Sequence, residues 1–102
     1  MLGLFRKDRA DAAPAGAPFR RSDRVVFTGE GGRTVLLDPV RGGYFGLDEV
    51  GTRIWELLPE HPTAARLADR LYDEYDAPRE RLEADAAALL GELAGLGLVV
   101  RG

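Results

Sequence analysis

The sequence predicts a single α+β domain in which a three-stranded antiparallel sheet is followed by three α-helices. Residues 24–47 contain short β-branched and aromatic segments separated by glycine-rich turns, which is typical of strands. Residues 48–96 instead repeat apolar residues at helical spacing. Strands that precede helices in the chain favour an antiparallel sheet packed against those helices. A length of 102 residues fits one domain.

The start of the chain lacks both patterns. Residues 1–22 are rich in Ala, Pro, Gly and charged residues, and such a composition provides little apolar surface to bury. We therefore expect residues 1–22 to form a disordered N-terminal tail and residues 23–102 to form the folded domain.

Three strands are predicted ahead of the first helix. Residues 24–29 form the first, and Gly29–Gly32 provides the glycines that a hairpin turn needs. Arg33–Asp38 is the second strand, and Pro39–Gly43 turns the chain again. Tyr44–Leu47 is a short third strand.

Three helices are predicted after the strands. Asp48 is a suitable N-cap for the first helix, which Pro59 ends. Thr63 caps the second helix, which runs to about Tyr75. The third helix spans about Arg79–Leu96. Each helix has an apolar stripe, so each is expected to bury one face.

The core is expected to contain Trp55 and the stripe of the third helix, whose members recur every three or four residues. Leu98–Val100 is expected to pack back on the core or to add a brief strand. The stripe consists of Leu82, Ala86, Leu89, Leu93 and Leu96.

Composition excludes several classes of site. The chain has no cysteine and one histidine, His61, so we expect no disulfide, no metal site, no cofactor and no catalytic residues of the Ser-His-Asp or Cys-His type. No apolar run approaches the roughly 20 residues of a membrane-spanning helix. Charged residues follow the first apolar residues too closely for a secretory signal. We expect a cytoplasmic protein without a membrane partner.

The net charge of −3 is unevenly distributed. Residues 1–24 contain six basic and three acidic residues, so they carry +3, and the remaining residues therefore carry −6. An acidic domain lacks the basic surface with which proteins contact nucleic-acid phosphates, so we expect no nucleic-acid partner.

The third predicted strand has the features of a sheet edge that is open to a peptide. It contains neither Lys nor Pro, the residues that commonly block edge strands, and Gly46 lowers the steric barrier to an approaching backbone. Alternation places Phe45 and Leu47 on one face, towards the helices, and Tyr44 on the other. Phe45 and Leu47 fit either a plain core position or a groove wall, and Tyr44 fits either a groove rim or an exposed site.

Three segments together resemble a known family. They are "LLDPVRGGYFGLDEVGTRIWELL", "LADRLYDEYD" and "EADAAALLGELAGLGLV". This pattern is similar to that of the PqqD-like family, the recognition elements for ribosomally synthesised and post-translationally modified peptides (RiPPs). Its stand-alone members, such as those of lasso-peptide pathways, are the more similar ones. Three helices beside a small sheet also resemble a winged helix-turn-helix arrangement.

The resemblance implies a non-catalytic adaptor. Such a protein binds the leader segment of a precursor peptide as an extra strand beside the third strand, in a groove closed by the third helix. It presents the precursor to a modifying enzyme such as a leader peptidase, a cyclase or a radical maturase. The candidate peptide-binding residues are Tyr44, Phe45, Gly46 and Leu47 on the strand and Arg79, Leu82, Glu83, Ala86 and Leu90 on the helix.

Alternatives remain at the level of the sequence. Glu83 and Asp85 can pair with a basic leader residue or form a solvated acidic face, and Arg79 can meet an acidic leader residue or balance its neighbours. A winged-helix DNA-binding regulator is a second function, although Arg70 lies among acidic residues on the helix that would contact DNA. A scaffold domain for another protein partner is a third.

Overall fold

The computed structural model describes residues 12–102. Within this range the chain forms five strands and three helices. In chain order these elements are β1 (Phe19–Arg21), β2 (Val26–Glu30), β3 (Arg33–Leu37), β4 (Tyr44–Leu47), α1 (Glu49–Leu57), α2 (Ala64–Tyr72), α3 (Arg79–Gly95) and β5 (Val99–Arg101). The predicted three strands followed by three helices are confirmed as β2–β4 and α1–α3.

The main sheet is antiparallel and has the strand order β2-β3-β4. Gly31 and Gly32, with φ of 63° and 77°, form the two-residue turn between β2 and β3, a conformation that glycine adopts readily. The β3–β4 turn is held by the Asp38 carboxylate, which accepts hydrogen bonds from the backbone N–H groups of Val40 (2.9 Å) and Arg41 (3.2 Å). Both bonds lower the pKa of Asp38, and the bond from the Arg41 N–H has the larger effect.

The helix caps agree with the sequence. The Asp48 carboxylate accepts from the Gly51 N–H at 2.8 Å, and the Thr63 hydroxyl accepts from the Arg66 N–H at 3.1 Å. The second helix is shorter than predicted, because α2 ends at Tyr72 and the following residues form turns rather than another helical turn.

The core lies between the inner face of the sheet and the helices. Trp55 and Leu36 are almost fully buried there, which confirms the prediction for Trp55. The Trp55 indole N–H has no hydrogen-bond partner within residues 12–102. Instead, the Arg21 guanidinium lies over the Trp55 ring at 4.7 Å and donates to the Trp55 carbonyl.

Residues 12–22 differ from the predicted tail. Phe19–Arg21 pairs antiparallel with Val99–Arg101, and Phe19 is only 5% exposed. Upstream, the Ala13 N–H donates to the Ala87 carbonyl of α3 at 2.9 Å. The ordered domain therefore starts before residue 23, because small alanines and one phenylalanine pack on it and because a distant strand completes the pairing. The prediction for residues 1–11 lies outside the described residues.

Within residues 12–102, no helix is long and apolar enough to cross a membrane. No group of three or more acidic or histidine side chains in this range is arranged to hold a metal ion.

Candidate functional site

A cleft of about 350 Å³ separates β4 from α3, and α1 forms its floor. It is the feature that brings together the strand and the helix singled out in the sequence. In the described part of the chain, ten residues line it: Phe45, Gly46, Leu47, Asp48, Val50, Gly51, Ile54, Asp85, Ala88 and Leu89.

β4 forms one wall of this cleft and has a free edge, since within residues 12–102 it pairs only with β3. The Asp38 N–H donates to the Gly43 carbonyl at 3.1 Å, so Asp38 and Gly43 form a hydrogen-bonded pair at the start of the β3–β4 ladder. Hydrogen-bonded and non-hydrogen-bonded pairs alternate along two antiparallel strands. The backbone N–H and C=O groups of Phe45 and Leu47 therefore bond to β3. The N–H and C=O groups of Tyr44 and Gly46 therefore point to the free edge.

The side chains of β4 alternate as predicted. Leu47 is 4% exposed and Phe45 is half-buried against the core, so both face the helices. Tyr44 lies on the opposite face and is 79% exposed. Of the four predicted strand residues, Phe45, Gly46 and Leu47 line the cleft and Tyr44 contributes only its backbone to the same edge.

The floor of the cleft is the first half of α1, which sequence reasoning did not include in the site. Val50 and Ile54 supply apolar side chains, and Gly51 leaves room beside them. A Cβ atom at Gly51 would lie 3.2 Å from the Asp48 Oδ1 and 3.3 Å from the Leu47 Cδ2. A glycine in the first turn of a helix, where it lowers helix propensity, was the available signal for this close packing.

The face of α3 that lines the cleft is not the predicted one. Leu82, Ala86 and Leu90 are 4%, 0% and 0% exposed and belong to the core, so they do not line the cleft. The lining residues are Asp85, Ala88 and Leu89. The sequence did not distinguish the two faces, because α3 is apolar on two sides and periodicity alone does not show which side faces which neighbour.

Arg79 and Glu83 also lie outside the cleft. The Arg79 guanidinium contacts the Asp69 Oδ1 at 2.6 Å and the Glu83 Oε1 at 2.6 Å, and it donates to the Ala65 carbonyl at 3.0 Å. Asp69 first, and Glu83 second, raise the pKa of Arg79. These contacts join the start of α3 to α2, so both charges are used within the fold.

The β3–β4 turn is joined to the end of α3. The Arg41 guanidinium donates to the Leu96 carbonyl at 3.2 Å and lies beside Gly97 at the end of α3. A cation is favourable at the C-terminus of a helix, where unpaired carbonyl groups carry partial negative charge. Arg41 thereby ties the turn that precedes β4 to the end of α3.

Comparison with known proteins identifies the family of this chain. The sequence pattern of the family described as "Coenzyme PQQ synthesis protein D (PqqD)" matches residues 33–99, which include every lining residue of the cleft. The chain belongs to the PqqD family. The family resemblance seen in the sequence is thus confirmed. No curated protein matches the chain at a significant level.

Solved structures of PqqD-like proteins share its fold. "TbiB1 in Complex with the TbiA(beta) Leader Peptide" is 39% identical, with a TM-score of 0.72, over 78% of this chain and 93% of that chain. "Lasso peptide synthetase B1 complexed with the leader peptide" is 30% identical, with a TM-score of 0.73, over 82% and 99%.

A third similar structure is a solution NMR structure of the PqqD truncation of Methylobacterium extorquens PqqCD. It is described as a functional and stand-alone RiPP recognition element. It is 25% identical, with a TM-score of 0.74, over 92% of this chain and 100% of that chain. All three similar proteins are therefore matched over nearly their whole length.

Proposed function

We propose that this chain is a non-catalytic adaptor of RiPP biosynthesis that binds the leader segment of a precursor peptide. The leader adds as a strand to β4 and lies between β4 and α3. The observation that carries the proposal is the edge of β4, where the peptide groups of Tyr44 and Gly46 point away from β3 beside an apolar cleft.

The dimensions of a sheet support this mode of binding. A strand added to β4 lies roughly 5 Å from it and exchanges main-chain hydrogen bonds with Tyr44 and Gly46. Alternate side chains of the added strand then point to the face shared by Phe45 and Leu47, which is the face of the cleft. Main-chain bonds give affinity, and the cleft gives sequence preference.

The similar proteins support the same function. Two of them were solved with a leader peptide bound, and the third is described as a recognition element. Within residues 12–102, the lining of the cleft contains two aspartates and apolar residues but no Ser, His, Lys or Cys. Such a lining suits holding a peptide more than attacking one. The chemistry then belongs to a modifying enzyme, such as a leader peptidase, a cyclase or a radical maturase, in the cytoplasm.

An amide chemical-shift titration tests the proposal. The uniformly ¹⁵N-labelled chain is titrated with a synthetic TbiA(beta) leader peptide, because the protein solved with that peptide is 39% identical. We expect the largest shifts at Tyr44, Gly46 and residues 85–89, and small shifts at Arg79 and Glu83. Shifts that avoid β4 would contradict strand addition, and the absence of any shift at millimolar peptide would contradict leader binding.

A further inference from the structure

Resting on the proposed function, we propose that the cleft selects leaders in which a basic residue lies two positions from an apolar one. Asp85 is the residue that selects the basic side chain. The apolar part of the leader fills the space above α1. The Lys or Arg of the leader pairs with Asp85 on the wall formed by α3.

The first observation is that Asp85 has no partner within residues 12–102. Its side chain is exposed and lines the cleft, but no ion pair or side-chain hydrogen bond engages it. Two other acidic residues differ: Glu83 of α3 contacts Arg79 at 2.6 Å, and Glu74, which follows α2, contacts Arg53 at 2.7 Å. Asp85 is thus a carboxylate that the fold itself does not use.

The second observation is the charge of the remaining lining. Asp48 lines the same cleft, and its Oδ1 already accepts the N–H of Gly51. Among residues 12–102, no Lys or Arg lines the cleft. Arg41 donates to the Leu96 carbonyl. Arg81 lies one turn before Asp85, and no ion pair joins the two side chains in the described part of the chain. A peptide entering the cleft therefore meets two negative charges and no positive charge among the lining residues.

The third observation is that the rest of the lining is apolar. Phe45, Leu47, Val50, Ile54 and Leu89 line the same cleft as the two aspartates. In an added strand, side chains on the same face belong to residues two positions apart and lie roughly 7 Å from each other. An apolar residue and a basic residue separated by one residue therefore point to the same side of the added strand, the side that faces the cleft.

Bound peptide also changes the surroundings of Asp85. An exposed ion pair contributes little, because water and salt screen both charges. A strand lying in the cleft covers part of the carboxylate and strengthens the pair. We expect loss of the Asp85 charge to weaken binding about three- to tenfold at low salt.

A peptide-display selection tests this inference with a defined probe. A library of random twelve-residue peptides is selected on the immobilised full chain and, in parallel, on Asp85→Asn, Asp85→Lys and Glu83→Gln. Glu83→Gln is the matched control, since it removes a carboxylate from the same helix outside the cleft. Circular dichroism verifies that each variant is folded.

We expect the unmodified chain and Glu83→Gln to enrich peptides with Lys or Arg two positions from an apolar residue. Asp85→Asn loses the basic preference and keeps the apolar one, while Asp85→Lys enriches Asp or Glu at the same spacing. This inference is wrong if the unmodified chain enriches peptides without a preference for Lys or Arg, or if Asp85→Asn retains that preference. Either result leaves the proposed function standing. Failure of the unmodified chain to enrich any peptide overturns the proposed function itself.

Discussion

Arg53 and Glu74 form a two-pronged ion pair in which the Arg53 Nε lies 2.7 Å from the Glu74 Oε1 and the Nη2 lies 2.7 Å from the Oε2. Arg53 belongs to α1, and Glu74 follows α2. Arg70 adds a contact to the same carboxylate at 3.1 Å. The pair therefore joins the floor of the cleft to the segment that leads into α3, the opposite wall.

This ion pair predicts a pH-dependent contribution to stability. The hydrogen bonds from Arg53 lower the pKa of Glu74 in the folded protein. A carboxyl group with a lowered folded pKa stabilises the fold above its unfolded pKa of about 4.3, and this contribution is lost as pH falls through the folded pKa. We expect Glu74→Gln to lower the free energy of unfolding by about 1 kcal/mol at pH 7 and by less at pH 3.

Urea unfolding at the two pH values measures this difference. Glu56→Gln is the matched control, because Glu56 contacts the same arginine at 3.2 Å through a side chain that is 56% exposed. It should change the stability by less than Glu74→Gln. An equal loss for Glu74→Gln at both pH values would show that the ion pair is not the cause.

The outward N–H of Gly46 predicts a selective effect of proline. Gly46→Pro removes a donor that points to the free edge and no donor of the β3–β4 ladder, so we expect at least a tenfold loss of leader affinity with the helices intact. Gly46→Ala keeps the donor, and its Cβ would have no other atom within 4 Å. It should bind nearly as well as the unmodified chain.

Fluorescence anisotropy with a labelled TbiA(beta) leader peptide measures both affinities. Phe45→Pro is a further comparison, because it removes the N–H that bonds to β3 and should destabilise the sheet itself. If Gly46→Pro and Gly46→Ala bind the peptide equally, the leader does not add as a strand to β4.

Two adjacent leucines of α3 predict opposite phenotypes. Leu89 lines the cleft and is half-buried, whereas Leu90 is 0% exposed in the core. Leu90→Ala should lower the free energy of unfolding by about 2–5 kcal/mol because it leaves a cavity. Leu89→Ala should cost less stability and weaken leader binding more. Urea unfolding measures the loss of stability, and anisotropy measures the loss of leader affinity at a temperature where both variants are folded. If Leu90→Ala weakens binding more than Leu89→Ala does, α3 presents its other face to the peptide.

The sequence was informative wherever a short-range signal determines the structure. Asp48 and Thr63 were recognised as caps because the capping carboxylate or hydroxyl lies three residues before its donor. The edge strand Tyr44–Leu47 was predicted at its observed bounds, since a turn precedes it and a cap follows it. Its two faces followed from alternation alone.

Long-range packing was the part that the sequence did not reveal. Leu89 was assigned to the core and Leu90 to the peptide-binding groove. In the structure Leu89 lines the cleft, and Leu90 is fully buried in the core. A run such as "AAALL" gives α3 two apolar sides, so its rotation depends on α2 and on the sheet. Likewise, β1 pairs with β5 from the far end of the chain, and such pairing has no local signal.

The pairing of β1 with β5 predicts that the segment before residue 23 stabilises the fold. Phe19 is 5% exposed, and the Arg101 guanidinium lies 5.6 Å from its ring. Phe19→Ala should lower the free energy of unfolding by about 3–5 kcal/mol, as expected for a buried aromatic side chain. Arg20→Ala, on the same strand but solvent-exposed, should change it by less than about 0.5 kcal/mol. Urea unfolding compares the two variants. If Phe19→Ala is as stable as Arg20→Ala, residues 19–21 are a tail, as their composition suggests, and β5 is an unpaired end.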